Sequence, residues 1–519
     1  MVGKTSGSRN LFEIKSPGPQ KVKTMGLKDF YHLLDSGNLA QALVVMESLE
    51  GDERLEAELT KATLDLNFFG GVHEISSFVK DLIKKTDHDS LLQSLARACL
   101  AFIFIWEAKY PEALAELDKA DRLINENPTK NRKSVPVIFV SFIKAFYMVE
   151  VGKHDEAITV YSQVIETALT QQFPLKIFAT AAFNNLGSIY ERKGEWERAI
   201  ENYLKCMEIV EEIGNKILLA YPLTKLGNLY HLQGNLTLAT DMLEEGLENA
   251  RTFKDNRAVA WALEGLGAVY HSKGDFSLAL SLYEDALETT KTAELKASDL
   301  TSVLYRLSVL YLDMDNPDMA KKYLRQLKNH AASDTSLDTK TMSLFAEGLI
   351  LKKSKQFKDK ARAQDLFQLI FEDKKKTQKI RFLAMLHFCE LLLQQSEDRM
   401  MLEKARRIAV ELYKLAHSSK FIPDEINALI LKAKFALIEG DVNQALDLLE
   451  QAHNIANRKE LANLRHAVEE EQDSLRRDLN RWRNLLDMNA SLRERIKLSE
   501  IEEYLEAAIR IRDRTLEVI

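Results

Sequence analysis

A block of about forty residues recurs along the chain, and it constrains the fold more than any other feature. From Leu186 the sequence reads LGSIYERKGEWERAIENYL, and from Leu226 it reads LGNLYHLQGNLTLATDML. From Leu266 it reads LGAVYHSKGDFSLALSLY, and from Leu307, LSVLYLDMDNPDMAKKYL. Tyr190, Tyr230, Tyr270 and Tyr311 share one position of the block, and Ala199, Ala239, Ala279 and Ala320 share another. A fixed period of about 20–50 residues means stacked supersecondary units, because one unit cannot bury its apolar face alone.

Each unit reads as two antiparallel helices. Gly187, Gly227 and Gly267 are expected to allow close approach of the second helix, at Ala199, Ala239 and Ala279. Tyr190, Tyr230 and Tyr270 would fill the wider gap beside that contact. Gly194, Gly234 and Gly274 would end the first helix in a left-handed cap. Weaker copies lie upstream at 152–165, 108–120 and 36–49, with a degenerate unit at 53–85 broken at Gly70-Gly71. Downstream the copy at 439–452 is clear, and those around Ala363 and Ala405 are degenerate. The array is expected to span 25–457, with ten or eleven units.

Residue types in this order resemble the tetratricopeptide-repeat family, in its longer-helix variety. The scaffold-type repeats of kinesin light chain and of mitotic-spindle orientation adaptors are the nearest in look. The resemblance implies an all-α, right-handed superhelix whose first helices line a concave groove where ligands lie. Positions six before, three before, one after and four after the block glycine share one helical face, at about 100° per residue. Read with the resemblance, that face and the asparagines on and beside it give the candidate partner-binding residues. They are Phe139, Phe142, Phe146, Asn184, Asn185, Asn228, His231, Trp261, His271 and Tyr305. The asparagines resemble those by which some family members hold peptide backbone, and Lys225 and Arg306 flank them. The Lys/Asn/Arg set of the chaperone-tail-binding members is not reproduced in order.

Helix 136–150 is apolar almost all round, and such a helix is normally covered on every side. Either the superhelix curls over it, or a partner helix, a second protomer or the chain's own tail fills the groove there.

Composition narrows the class. A chain of 519 residues exceeds one compact core. With 46% hydrophobic residues, 29% charged, 20 Gly and 9 Pro, it has few turns and many helices. A formal charge of -7 supplies no global field for nucleic acid or an anionic membrane. Cys99, Cys206 and Cys389 are scattered, form no CxxC and read as small core residues in a reducing, cytoplasmic compartment. Residues 1–24 read as a disordered lead-in without a signal-peptide core, and Met25 is an alternative start. The apolar stretches 99–106 and 135–151 are too short to span a membrane, and Lys144 interrupts the second.

From 458 to 519 the repeat gives way to a charged amphipathic region without internal Gly or Pro. Leu461, Leu464, Val468, Leu475, Trp482 and Leu485 make one narrow stripe, suited to a solenoid cap. A coiled coil that joins two copies is the second reading, weakened by Glu471 and Asp478 at seam positions. Ser491 or Ser499 would start a further helix.

The chemistry-bearing motifs are few. GKTS at 3–6 lacks the upstream glycine and strand of a phosphate loop. No HExxH, CxxC pair or GxSxG occurs, so the expectation is no enzyme, no cofactor and no metal. His231 and His271, on neighbouring first helices, read as partner-contacting or solvated, with a metal or pH-sensing pair as the sharper alternative. The basic clusters DKKKTQKIR (373–381) and RRDLNRWRN (476–484) read as solvated helix faces with interleaved acids, so nucleic acid is not the expected partner. The expected function is a non-catalytic scaffold or adaptor that grips a peptide or helix. The alternative is a regulatory sensor that binds a short signal peptide and gates an effector.

Overall fold

The computed structural model describes residues 25–514, apart from 70–71, 127–134, 171–175, 194, 294, 296, 334–336, 375, 377, 395–398, 420–421, 459–461 and 489. The expected lead-in 1–24, the cap at Gly194 and the break at Gly70-Gly71 lie outside the described residues. The fold is an all-α solenoid, and every described element is helical.

Helices come in antiparallel pairs: α1 (Leu27–Asp35) with α2 (Leu39–Ser48), α3 (Gly51–Phe69) with α4 (Val72–Lys85), α5 (Ser90–Trp106) with α6 (Tyr110–Asn125). Next are α7 (Val135–Glu150) with α8 (His154–Thr170), α9 (Lys176–Arg192) with α10 (Trp196–Ile213), and α11 (Ala220–Leu232) with α12 (Leu236–Phe253). Then come α13 (Asn256–Lys273) with α14 (Phe276–Thr292), α15 (Ala297–Asp313) with α16 (Pro317–Ser333), and α17 (Leu337–Lys352) with α18 (Phe357–Glu372). The last pairs are α19 (Gln378–Leu393) with α20 (Arg399–Ser419), and α21 (Ile422–Glu439) with α22 (Val442–Arg458). Three helices follow: α23 (Ala462–Asp487), α24 (Leu492–Ser499) and α25 (Ile501–Arg514). Among the described residues no helix is long and apolar enough to cross a membrane.

A single device makes most of the turns within pairs. Gly37, Ala108, Gly152, Gly234, Gly274, Asp315 and Gly440 all have positive φ. The following N–H bonds back five residues, as from Asn235 to Tyr230 (2.9 Å) and from Asp275 to Tyr270 (3.0 Å). This satisfies carbonyls that the helix end would leave orphaned. The same following residue then caps the second helix: the side chains of Asn235, Asp275, Asn316 and Asp441 accept from Leu238, Leu278, Met319 and Gln444 N–H. Ala108, at φ 55°, holds this left-handed position with a β-carbon. Ala108→Gly should therefore raise stability by about 0.5–1 kcal/mol, read as a shifted urea midpoint.

The block glycines work differently from expectation. A β-carbon on Gly187 would lie 2.5 Å from the Tyr203 ring, and one on Gly267 would lie 2.5 Å from the Tyr283 ring. The residue that fills the glycine's space is an aromatic of the second helix, one turn beyond Ala199 or Ala279. Tyr203 and Tyr283 are fully buried, whereas Tyr190, Tyr230 and Tyr270 are only half-buried. The alanines are still close-contact positions: all four are fully buried, and Ser308, at the glycine position, donates its hydroxyl to the Ala320 carbonyl (3.3 Å).

The chain divides into two compact units. The first comprises Met1–Arg192, Trp196–Gly227 and Asp241–Ala262. Here the α1–α2 hairpin docks on elements remote in sequence. The Asp35 carboxylate accepts from the free N–H groups of Lys176 (3.2 Å) and Ile177 (3.0 Å), and so caps α9. Asn215 Nδ2 donates to the Leu34 carbonyl (3.0 Å), and Gly37 lies against the same asparagine. Tyr31 of α1 donates to Glu56 of α3 (2.9 Å). Burial pushes the Glu56 carboxyl up from 4.5 to about 7, with Asp89 and Glu53 adding and the Tyr31 hydroxyl opposing.

A raised carboxyl value means that the folded state holds its proton more tightly. Stability of this unit should then fall as pH rises from 4.5 through about 7. Glu56→Gln should remove that slope and raise stability at pH 8 by up to about 3 kcal/mol. Thermal melts of both proteins at pH 5 and 8 check this.

The second unit comprises Lys193–Glu195, Asn228–Thr240 and Leu263–Ile519. Its first helices are joined by buried polar pairs: Glu264 with Arg306 (3.0 Å), Thr301 with Thr339 (3.0 Å), and Lys352 with Glu390 (2.6 Å). In α23, Val468, Leu475 and Trp482 are buried against α21 and α22, and Glu471 accepts from Lys434 (2.6 Å). The seam acid is thus half of a buried ion pair. Trp482, at 2% exposure, is core and not a stacking platform for bases. Ser491 caps α24, whereas Ser499 ends it.

Candidate peptide-binding face

Five expected site residues lie in two groups of contacts in the first unit, and the two groups share α7. Phe142 of α7 meets Tyr161 edge-on (5.5 Å between centroids) and Phe178 of α9 (6.3 Å). Phe139 also meets Phe178 (6.1 Å). Asn185 of α9 donates to the Tyr161 hydroxyl (2.9 Å), so Phe142 and Asn185 converge on one phenol. Burial pushes that phenol's pKa well up, and it stays neutral. Phe146 packs on Phe102 (5.5 Å), which packs on Trp106 at the end of α5 (6.2 Å). The Arg257 guanidinium lies between Trp106 (5.0 Å) and Trp261 of α13 (4.4 Å). Trp261 also meets Tyr221 (5.7 Å) and the Lys225 ammonium (5.6 Å).

The elements explain these placements. Asp255 caps α13 through the N–H groups of Arg257 (3.1 Å) and Ala258 (3.0 Å), which fixes Arg257 at the helix start. Phe142 and Phe146 are one helical turn apart and so share a face of α7. Lys144, between them, pairs with Asp121.

The expected full cover of this helix is incomplete. Phe142, Phe146, Phe178, Trp106 and Trp261 are each half-buried, so the band keeps contact with solvent. Asn184 is half-buried beside them in sequence, and its Oδ1 is sealed from water without a hydrogen-bond partner. Such an acceptor costs about 1–3 kcal/mol until a donor reaches it.

Four expected site residues do not face a partner. Phe139 is 3% exposed and belongs to the core of the first unit. His231 is 7% exposed and bonds Ser272 (2.8 Å) of the next first helix. His271 is 2% exposed and bonds Asp313 (2.9 Å) of the next. Tyr305 is fully buried against Phe345 (6.2 Å). The histidines join successive repeats through Ser272 and Asp313. Arg306, bonded to Glu264, is also withdrawn. Asn228 is half-buried in the second unit. Sequence reading missed Trp106, Phe178 and Arg257. Their signal was the aromatic at each helix end, but only tertiary contact joins them.

No three or more His, Cys, Asp or Glu side chains converge as metal ligands among the described residues. The cysteines are all buried, and burial pushes the Cys206 thiol up to about 12.

Models of the tetratricopeptide repeat match residues 178–252, 262–297 and 301–329. This central region is built of tetratricopeptide repeats. No curated protein matches the chain. Among solved structures, the repeats are similar to NprR in complex with its cognate peptide NprX, at 15% identity over 70% of this chain and 99% of that one, TM-score 0.49. They are similar to a Rap protein complexed with competence and sporulation factor, at 15% identity over 72% and 100%, TM-score 0.48. BtubC from P. vanneervenii is similar at 20% identity over 44% and 91%, TM-score 0.36.

Proposed function

We propose that this tetratricopeptide-repeat chain is a non-catalytic interaction protein that grips an apolar peptide or helix on the first-helix face of its first unit. The half-exposed aromatic band of Phe178, Phe142, Phe146 and Trp261, two ring groups that share one face of α7, carries this reading. Such rings give large contact area for little conformational entropy, as interface anchors do. Rotation of the half-buried Asn184 amide would present its oxygen, which lacks a donor in the resting structure, to a peptide N–H. Arg257 and Lys225 beside Trp261 suit an acidic group at one end of the ligand. The three cysteines are buried and outside any disulfide, which agrees with a reducing cytosol.

Panning a random peptide library over wild type and over Asn184→Ala tests the reading. Peptides rich in apolar residues should be enriched on wild type and depleted on the variant. Enrichment of the same peptides on both would remove Asn184 from the site. A steep loss of binding between about 50 and 200 mM salt would indicate a polyanion.

A further inference from the structure

The second unit carries a separate helix-binding surface. On α15 the buried polar side chains include Thr301, Ser302 and Arg306, and on α17 Thr339, Thr341 and Ser343. Helices α19 and α21 bury longer apolar runs, with His387 on α19 and Asp424, Glu425 and Lys434 on α21 as their buried polar side chains. From Phe382 to Leu393 every residue of α19 but Glu390 is buried, and nearly all are apolar. From Pro423 to Ile438, α21 is buried except at Asn427 and Lys432. The extra cover comes from the end of the chain, because α25 packs on both α19 and α21, and α24 packs on α21.

The seated helix shows what the surface recognises. Ile501, Leu505, Ala508 and Ile509 face inward, with exposures of 0, 0, 8 and 4%. Tyr504 donates its hydroxyl to the Asn427 carbonyl (3.0 Å). Lys434 of α21, 3% exposed, donates to the Ser499 carbonyl (3.1 Å) and lies over the Tyr504 ring (5.3 Å). The surface thus reads an aliphatic stripe and one tyrosine of α25, and Lys434 also holds the end of α24.

The seat is imperfect. Glu500, between α24 and α25, sits at φ 50°, a left-handed conformation strained for a residue with a β-carbon. Glu502 of α25 is pushed above the usual carboxylate range, first by burial and then by Glu503 and by Glu390 of α19. Like charge therefore opposes docking on the α19 side, where Glu390 already serves Lys352.

We propose that α25 is an intramolecular occupant of the α19–α21 face, and that an amphipathic partner helix of the same aliphatic–tyrosine–aliphatic pattern displaces it. Glu500 is the hinge, and α23 stays anchored by Val468, Leu475 and Trp482 while α25 leaves.

The test uses the full chain and a fluorescent synthetic peptide of residues 500–514. Leu505→Asp/Ile509→Asp should release α25. The released protein should bind the peptide, and wild type should bind it at least about tenfold more weakly, because its surface is occupied most of the time. Lys434→Met in the released protein should weaken the peptide again. No binding to the released protein, or equal binding to both, overturns the proposal. Hydrogen exchange on wild type covers the case in which the variant misfolds. Amides of α25 should open ahead of those in α21 and α23, and opening of all three together would make α25 ordinary core. A concentration-dependent dimer of wild type that exchanges α25 would also overturn it, by giving the surface to a second copy. None of these readouts depends on the aromatic band of the first unit.

Discussion

Tyr283→Ala is expected to cost the second unit about 3–5 kcal/mol, the largest loss from any single truncation considered. The ring is fully buried and fills the space above Gly267. Removing it leaves a void bordered by glycine, which has no side chain to relax into it. Gly267→Ala should cost about 1–3 kcal/mol for the opposite reason. Its β-carbon would press to 2.5 and 2.6 Å from two ring carbons of Tyr283. The double variant should lose less than the sum, because the new methyl occupies part of the void. A coupling of about 1 kcal/mol or more is expected for residues in direct contact. Urea unfolding of the four proteins, with hydrogen exchange in α13 and α14 to localise the effect, measures it. A neutral Gly267→Ala would mean that the two helices can separate without loss.

The second large effect is on binding. Phe142→Glu/Phe146→Glu should weaken ligand capture by about a hundredfold or more, since each aromatic anchor is worth about 2 kcal/mol. Both rings are half-buried, so the carboxylates can reach water and the helices should persist by circular dichroism. Phe139→Glu is the contrasting case. At 3% exposure its charge would have no route to solvent, and the first unit should unfold. A double variant that stays folded and keeps its full affinity would move the binding site elsewhere.

The repeat, its helix pairing and its glycine turns were legible in the sequence because they are local and periodic. The partner of Gly187 was not legible. Tyr190 and Tyr203 both sit within the motif, and only the phase of the second helix decides that Tyr203 is the buried one. The turn at Ala108 was hidden for a related reason, as an alanine holds the place of the usual glycine. His231 and His271 were misread because their face is open within one repeat. It is closed by Ser272 and Asp313 of the next. The stack of Trp106, Arg257 and Trp261 joins helices far apart in sequence. It follows from how tightly the first unit curls, which no forty-residue window contains. The same holds for Asp35 on α9 and for α25 on α19.

Site-specific photocrosslinking tests the central claim most directly. A photoreactive phenylalanine analogue would replace Phe146 in the aromatic band, and in a second protein Leu204, which is 44% exposed on the second helix α10. Both would be irradiated in the native cell. The account predicts a discrete protein or peptide adduct from position 146 and none from 204. An adduct from 204 alone, or the same adducts from both, would contradict it.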